Sequence, residues 1–276
     1  MITQTAKAKQ FAALHEEGCF ALPNPWDIGS ARILAGLGFD ALATTSAGFA
    51  RSTGVDDYQV TRDMVIAHAR ELCSATDLPI SSDLENGFGH APDDCAETIR
   101  QAAAAGLVGG SIEDFSGEPG KQYEIAHAAD RIRAAVEAAK ALDFPFTVTA
   151  RAENFFTGTP DLSDAIKRLH AYQEAGAHCL YAPGLKTLED IRTVVGSVDR
   201  PVNVLLGPSS GPVALSTLAD IGVRRVSVGA VFSSLAYGAL IAAAEEFLQD
   251  GSFGFMQRLP GRKLMDLITA GTPADD

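Results

Sequence analysis

Four carboxylates, Asp57, Asp83, Glu85 and Glu113, fall where short apolar runs give way to polar residues. Asp83 and Glu85 are two positions apart, so on an extended segment they point to the same side. Crowded at one end of a sheet, such groups repel each other unless a cation sits among them. Oxygen donors without His or Cys suit a hard ion such as Mg²⁺, which keeps several waters and takes few carboxylates directly. A helix cap or a surface ion pair accounts for any one of these acids taken alone. The set, at adjacent strand ends, favours a metal site. Asp56 precedes Asp57, and either of the two can face the ion.

Other residues complete the inventory. Thr45-Ser46-Ala47-Gly48 offers hydroxyls and backbone N–H groups beside small side chains, a cradle for a carboxylate or an oxyanion, or else a plain turn. Arg151 can grip a carboxylate or phosphonate bidentately, or pair structurally with Glu153. The segment Phe115–Tyr123, FSGEPGKQY, has the glycines of a mobile lid and one cation, Lys121, a candidate catalytic group. His90 is placed to line the mouth, whereas His15, His68, His127 and His170 fall in helical patterns and read as surface residues. Trp26 and Asp27 can wall the pocket. Cys19 and Cys179 begin strands and read as small core residues. The run Gly207–Gly211 with Val228-Gly229-Ala230 lies where many barrels hold phosphate, but Pro208 and Pro212 lack N–H donors.

The elements that must position these residues alternate eight times. Strand candidates are Cys19–Leu22, Ala41–Thr45, Pro79–Leu84, Leu107–Glu113, Phe146–Ala152, Cys179–Ala182, Val202–Leu206 and Arg224–Gly229. Helical spacing fills the intervals, as at Pro92–Ala105, Ile125–Leu142 and Ser163–Ala175. Gly38, Gly106, Gly176 and Gly222 are placed as left-handed helix ends, and Pro92 and Pro160 as helix starts. The pattern predicts an α/β fold, a (β/α)₈ barrel whose active site gathers at the C-terminal strand ends. The competing doubly wound sheet lacks a Gly-rich fingerprint after the first strand, which reads CFALPNPWDIG. Without a biased linker, residues 1–276 read as one domain, with an added N-terminal helix over Thr3–Glu17. Residues 251–276 form a tail of one or two short helices packed on a neighbour. The apolar stretch Ala230–Ala244 falls short of a membrane span and reads as a buried helix.

Bulk properties exclude several functions. The 276 residues carry 22 Lys and Arg against 35 Asp and Glu, a net charge of −13 that repels nucleic acid and anionic membranes. The 4 cysteines form no CxxC pair, which fits a reducing compartment rather than a disulfide framework. The polar start MITQTAKAKQF has no signal-peptide core. The expectation is a soluble, cytoplasmic protein.

The segments TTSAGFA, SDLENGFG, SIED and TARAEN, in that order after the second to fifth strands, together resemble the isocitrate lyase and phosphoenolpyruvate mutase superfamily. The resemblance runs from about Phe11 to Ala242. It implies Mg²⁺, with Mn²⁺ as a substitute, bound directly by Asp83 and through water by Asp57, Glu85 and Glu113. It also implies that Ser46, Ala47 and Gly48 receive a substrate carboxylate while Arg151 neutralises an oxyanion or leaving group. A homotetramer that swaps a late helix between barrels is implied too. The chain departs from the pattern in three places, the first being Asp56-Asp57 where the family has a Pro–Asp pair in the loop after the second strand. Its lid lacks the Lys-Lys/Arg-Cys-Gly-His motif of the isocitrate and methylisocitrate lyases. The sixth strand runs into Tyr181-Ala182-Pro183-Gly184, where phosphonate-handling members place a histidine.

The residues and the resemblance together favour a Mg²⁺-dependent lyase that cleaves a C–C bond, decarboxylation included. Its substrate is a small 2-oxo or 2-hydroxy dicarboxylic acid, and its intermediate is enolate-like. The alternatives are a phosphonopyruvate-type mutase or hydrolase and a non-catalytic binder of 2-oxo acids.

Overall fold

Strands and helices alternate through the chain in a computed structural model that describes residues 2–157 and 160–274. The order is α1 (Gln4–Ala13), β1 (Phe20–Leu22), α2 (Ile28–Gly36), β2 (Leu42–Ala43), α3 (Ser46–Thr53), α4 (Arg62–Ala75), β3 (Ile80–Asp83) and α5 (Pro92–Ala104). It continues with β4 (Gly109–Glu113), α6 (Ile125–Lys140), β5 (Thr147–Arg151), α7 (Leu162–Glu174), β6 (Cys179–Tyr181) and α8 (Leu188–Ser197). The last elements are β7 (Val202–Leu205), α9 (Leu215–Asp220), β8 (Arg225–Ser227), α10 (Val231–Glu245) and α11 (Arg262–Ala270). Each expected strand is present, shortened by a residue or two at its ends.

All pairings are parallel, in the order β1-β8-β7-β6-β5-β4-β3-β2. The seam between β1 and β2 is closed by one backbone bond, Ala43 N to Pro23 O at 3.0 Å. Asn24 reinforces it. Its amide nitrogen donates to Ala43 O and Thr44 O, while its oxygen accepts from the Val228 and Gly229 amides at 2.9 Å each. The result is a (β/α)₈ barrel.

Local chemistry sets the element ends. Gly38, Gly106, Gly176 and Gly222 all take φ between 89 and 103°, which turns each helix toward its next strand. Pro92 begins α5, but Pro160 lies just outside α7, where the Asp161 carboxylate caps the helix by accepting from Asp164 N. Outward strand residues such as Ile112, Val148, Leu180, Val204 and Val226 pack against the helices as the main core. α1 covers the N-terminal end of the barrel: Phe11 meets the Phe20 ring edge-on and fits over Gly109, where a Cβ would touch it.

Two expectations for the C-terminal part are corrected. The apolar helix is not buried: of α10 only Ser233 is, while Leu235, Leu240, Ile241, Phe247 and Leu248 stand exposed. With the π turn that follows, it runs 20 residues and includes an 18-residue stretch of mean hydropathy 1.4, long and apolar enough to cross a membrane. Its apolar residues go all round rather than along one stripe, so one barrel face cannot cover them. The tail does form short helical pieces, but α11 packs on α2 of its own chain. Gly36 and Gly271 permit this approach, because a Cβ on either would strike the backbone of the facing segment at Leu267 or Arg32.

Candidate active site

A cavity of about 1090 Å³ opens at the C-terminal ends of the strands and reaches down into the barrel. On one side of its mouth, β3, β4 and β5 end side by side, with Asp83 in register beside Ser111 and Glu113 beside Arg151. Arg151 is the hub. Its Nη1 meets Asp83 Oδ1 at 2.9 Å, its Nη2 Glu113 Oε2 at 3.1 Å, and its Nε Glu153 Oε1 at 2.8 Å. Its guanidinium also lies over the Tyr181 ring, 5.2 Å from the centroid. Both readings of Arg151 hold in geometry: it pairs with Glu153 and also faces the mouth. Burial works against its charge, but Glu153, Glu113 and Asp83 outweigh that and keep it firmly cationic.

The acids are less comfortable. Burial, aggravated by the Asp83 and Asp57 charges, pushes Glu85 up to about 8. Its Oε1 is buried and has no hydrogen-bond partner, and its backbone takes φ 47°, a conformation that non-glycine residues seldom adopt. Asp57 keeps an exposed face, yet desolvation by the cavity wall and the neighbouring Asp83 raise its carboxyl above the usual range. Glu113 and Glu153, both buried, are raised by burial despite Arg151. One guanidinium therefore serves a group of carboxylates too numerous for it to neutralise. Among the described residues no three His, Cys, Asp or Glu side chains converge closely enough to enclose a cation directly. Hard oxygen donors, excess negative charge and an orphaned carboxylate oxygen together fit a cation that keeps much of its water. Asp57, and not Asp56, lines the cavity.

The cradle is the start of α3. Thr45 caps the helix by accepting from Gly48 N at 3.3 Å, and Ser46 donates from Oγ (3.1 Å) and N (3.3 Å) to Asp83 Oδ2. Thr45, Ser46 and Ala47 line the cavity. Gly48 lies behind them, where a Cβ would press on Thr45, Ser233 and Trp26.

Other candidates are not brought in. Lys121 is exposed and pairs with Glu118, outside the cavity wall, although Phe115, Gly117, Pro119 and Gly120 of its loop do line it. His90 is exposed and bonds Tyr123 Oη at 2.7 Å, away from the mouth. Two histidines expected at the surface are buried: His68 stacks on Phe49, and His15 lies inside against Phe11 and Arg225. Asp114, from the SIED motif, is structural: its carboxylate accepts from Glu153 N, Gln122, Arg168 and Tyr172.

Sequence reasoning missed Tyr58, which donates to Glu113 Oε1 at 2.5 Å, and Asn24 at the seam. It also missed Arg225 and Asn203 inside the barrel. For Arg225 a signal existed: in Arg225-Val226-Ser227-Val228 the polar residues alternate with apolar ones, so one face of that strand had to be polar.

A barrel with a carboxylate-rich, arginine-centred mouth is the class that fold and site define. The phosphoenolpyruvate phosphomutase family model matches residues 11–248, and the chain belongs to that family, within the isocitrate lyase and phosphoenolpyruvate mutase superfamily. A solved structure of a candidate lyase/mutase from Burkholderia cenocepacia is 50% identical with a TM-score of 0.94, covering 98% of this chain and 99% of that one. The 2-methylisocitrate lyase of Escherichia coli is 29% identical over 243 residues, 85% of this chain and 80% of that protein. An oxaloacetate decarboxylase of Rhodopseudomonas palustris is 26% identical over 273 residues, 96% of this chain and 92% of that protein.

Proposed function

We propose that the protein is a Mg²⁺-dependent lyase, served also by Mn²⁺, that breaks a C–C bond in a small 2-oxo or 2-hydroxy dicarboxylic acid. Decarboxylation is included. The observation that carries this reading is the convergence of Asp83, Glu113 and Glu153 on Arg151 at the mouth. The relatives named for methylisocitrate cleavage and oxaloacetate decarboxylation support it.

Asp83, Asp57, Glu85 and Glu113 would hold the cation. When bound there it supplies Lewis-acid polarisation of the oxygen on C2. The start of α3, through Thr45, Ser46 and Ala47, takes the adjacent carboxylate with hydroxyl and amide donors, and Gly48 allows the close packing behind them. In a 2-oxo acid, as the C3–C4 bond breaks, its electron pair passes into an enolate whose charge collects on the C2 oxygen. In a 2-hydroxy acid the hydroxyl proton passes to one of the mouth carboxylates, the C2 oxygen becomes a carbonyl, and the C2–C3 electron pair passes to C3 and its carboxylate as an enolate. Arg151, fixed by three acids, meets that charge or the departing carboxylate without reorganising. The loop Phe115–Tyr123 shields the mouth from water; its Phe115 packs edge-on against Tyr58 at 5.0 Å.

The protein acts in the cytoplasm as a homo-oligomer, with other copies rather than lipid covering α10. The family resemblance to helix-swapped tetramers and the exposed apolar run both support this. The test is product formation followed by NMR from oxaloacetate, methyl-substituted malates, isocitrates and phosphonopyruvate, with Mg²⁺ and then with chelator. Chelator-sensitive release of a 2-oxo acid by C–C cleavage, lost in Asp83→Asn, is the expected result. Turnover of phosphonopyruvate alone would replace the lyase with P–C chemistry. Ligand protection with no turnover of any acid would leave a binder.

A further inference from the structure

Arg225 is a buried cation for which the mechanism above has no use. It lies inside the barrel on β8, 4% exposed, and forms part of the cavity wall. Its Nε donates to Asn203 Oδ1 at 2.8 Å, its Nη2 to Thr149 Oγ1 at 2.9 Å, and its Nη1 to His15 Nε2 at 3.2 Å. Every one of these acceptors is uncharged. His15 can act as an acceptor only while neutral, since its Nδ1 faces Phe11 O at 2.8 Å and must carry the proton. Burial and the Arg225 charge enforce this by holding the imidazole down at about 3.

Among the described residues no carboxylate pairs with Arg225, in contrast to Arg151, which has three. A guanidinium carries five N–H donors, and only three are used here. Burying a cation without a counter-ion is expensive, and proteins keep such groups where an anion arrives. The surroundings leave space for one. Most barrels fill their interior with branched apolar side chains, but here Ala43, Ser81, Ser111, Asn203 and Ser227 line the bore.

The position fits the proposed chemistry. Thr149 and Arg151 are two apart on β5, on one face of the strand, so the Thr149 hydroxyl that holds Arg225 belongs to a residue one pleat repeat, about 6.6 Å along the strand, deeper in the barrel than Arg151. That is the scale of a four- or five-carbon diacid in extended form.

We propose that Arg225 receives the second carboxylate of the substrate, so that a diacid spans the bore from the Asp83 and Ser46 end down to β8. This rests on the diacid reading of the site and adds the residue that selects for a diacid. Among the described residues, the other cavity cation without an acidic partner is Arg51, exposed at the rim and bonded to Ser234 Oγ at 3.0 Å. Being solvated, it has no unmet need for an anion.

The test is calorimetric titration of chelator-treated protein with malonate, succinate and acetate at fixed ionic strength. Wild type should bind at least one diacid tenfold or more tighter than acetate. Arg225→Met should lose that preference while retaining acetate affinity, and Arg225→Lys should restore part of it. Should Arg225→Met fail to fold, Thr149→Val, which removes one anchor and no charge, should weaken diacid binding at least threefold with acetate unchanged. Unaltered diacid preference in these variants, or its loss in Arg51→Ala instead, would overturn the proposal. Binding needs no turnover, so failure of the lyase reading shows as absent product, and failure of this inference as absent diacid preference.

Discussion

Tyr58 and Glu113 are joined by a 2.5 Å hydrogen bond that ties the loop after α3 to the end of β4, 55 positions along the chain. Tyr58 makes it from a left-handed backbone, φ 63°, a strained state in a bulky residue. Strain of this kind persists only where the surroundings hold it, and the reward here is a fixed carboxylate. Glu113 Oε2 is held by Arg151 and Oε1 by Tyr58, so both oxygens are oriented.

Tyr58→Phe therefore removes one orienting bond and leaves the ring in place. A hydrogen bond to a charged group contributes about 1.5–3 kcal/mol, and loss of a partner that orients a metal ligand costs roughly 10–100-fold in affinity or activity. The variant should unfold at lower denaturant and need more Mg²⁺ for half-maximal turnover. An unchanged Mg²⁺ dependence would mean that Glu113 takes no part in holding the ion.

Lys121 leads to the opposite expectation. Its ammonium is exposed and engaged by Glu118 within the loop Phe115–Tyr123, outside the cavity wall. Exposed pairs of this kind are worth about 0–1 kcal/mol, so Lys121→Ala should leave folding intact and turnover within a few-fold of wild type. A collapse of kcat with substrate binding preserved would show that the lid turns over to bring Lys121 inside during the reaction.

What was legible in the sequence follows a physical division. Strand ends could be read because β-branched runs stop at polar residues, and the acids Asp83 and Glu113 follow directly from that. Arg151 as a hub could not be read, because its three partners come from β3, β4 and the segment just after β5, and only the side-by-side pairing of those strands brings them together. Tyr58 escaped notice because its role depends on a φ that no residue pattern encodes. His15 looked like a surface histidine on a polar helix; only the plugging of the barrel by α1 buries it. α10 misled in the other direction, since all-round apolarity reads as burial whether the cover comes from this chain or from another.

The buried histidines predict an acid limit to stability. An unfolded histidine takes up a proton near pH 6.5, while folded His15 resists until about pH 3. Burial lowers His68 and His178 as well. Below pH 6.5 the unfolded chain thus binds more protons, so this share of stability is complete above that pH and falls as pH drops toward 3. One such histidine costs roughly 2 kcal/mol at pH 5. Denaturant unfolding between pH 7.5 and 5 should show the decline, with His15→Gln shallower than wild type. Equal slopes in the two proteins would mean that His15 is protonated in the fold.

The exposed apolar run predicts association. Leu240, Ile241 and Leu248 are 63%, 57% and 84% exposed, a density of large apolar side chains that a lone soluble chain does not leave uncovered. On the homo-oligomer reading proposed above the cover is a second copy, and since α10 follows β8 directly, its first turn, at Val231 and Ser234, still lines the cavity. Exchange between copies would therefore couple assembly to the mouth of each site. Light scattering on the purified chain should give a mass above the monomer's 28.9 kDa. Leu240→Lys with Ile241→Lys should lower that mass and cut turnover together, because the first turn of α10 then loses the packing that sets it over the cavity. A doubly substituted chain that stays assembled would place the interface elsewhere, and a wild-type chain that is monomeric only in detergent would assign α10 to lipid.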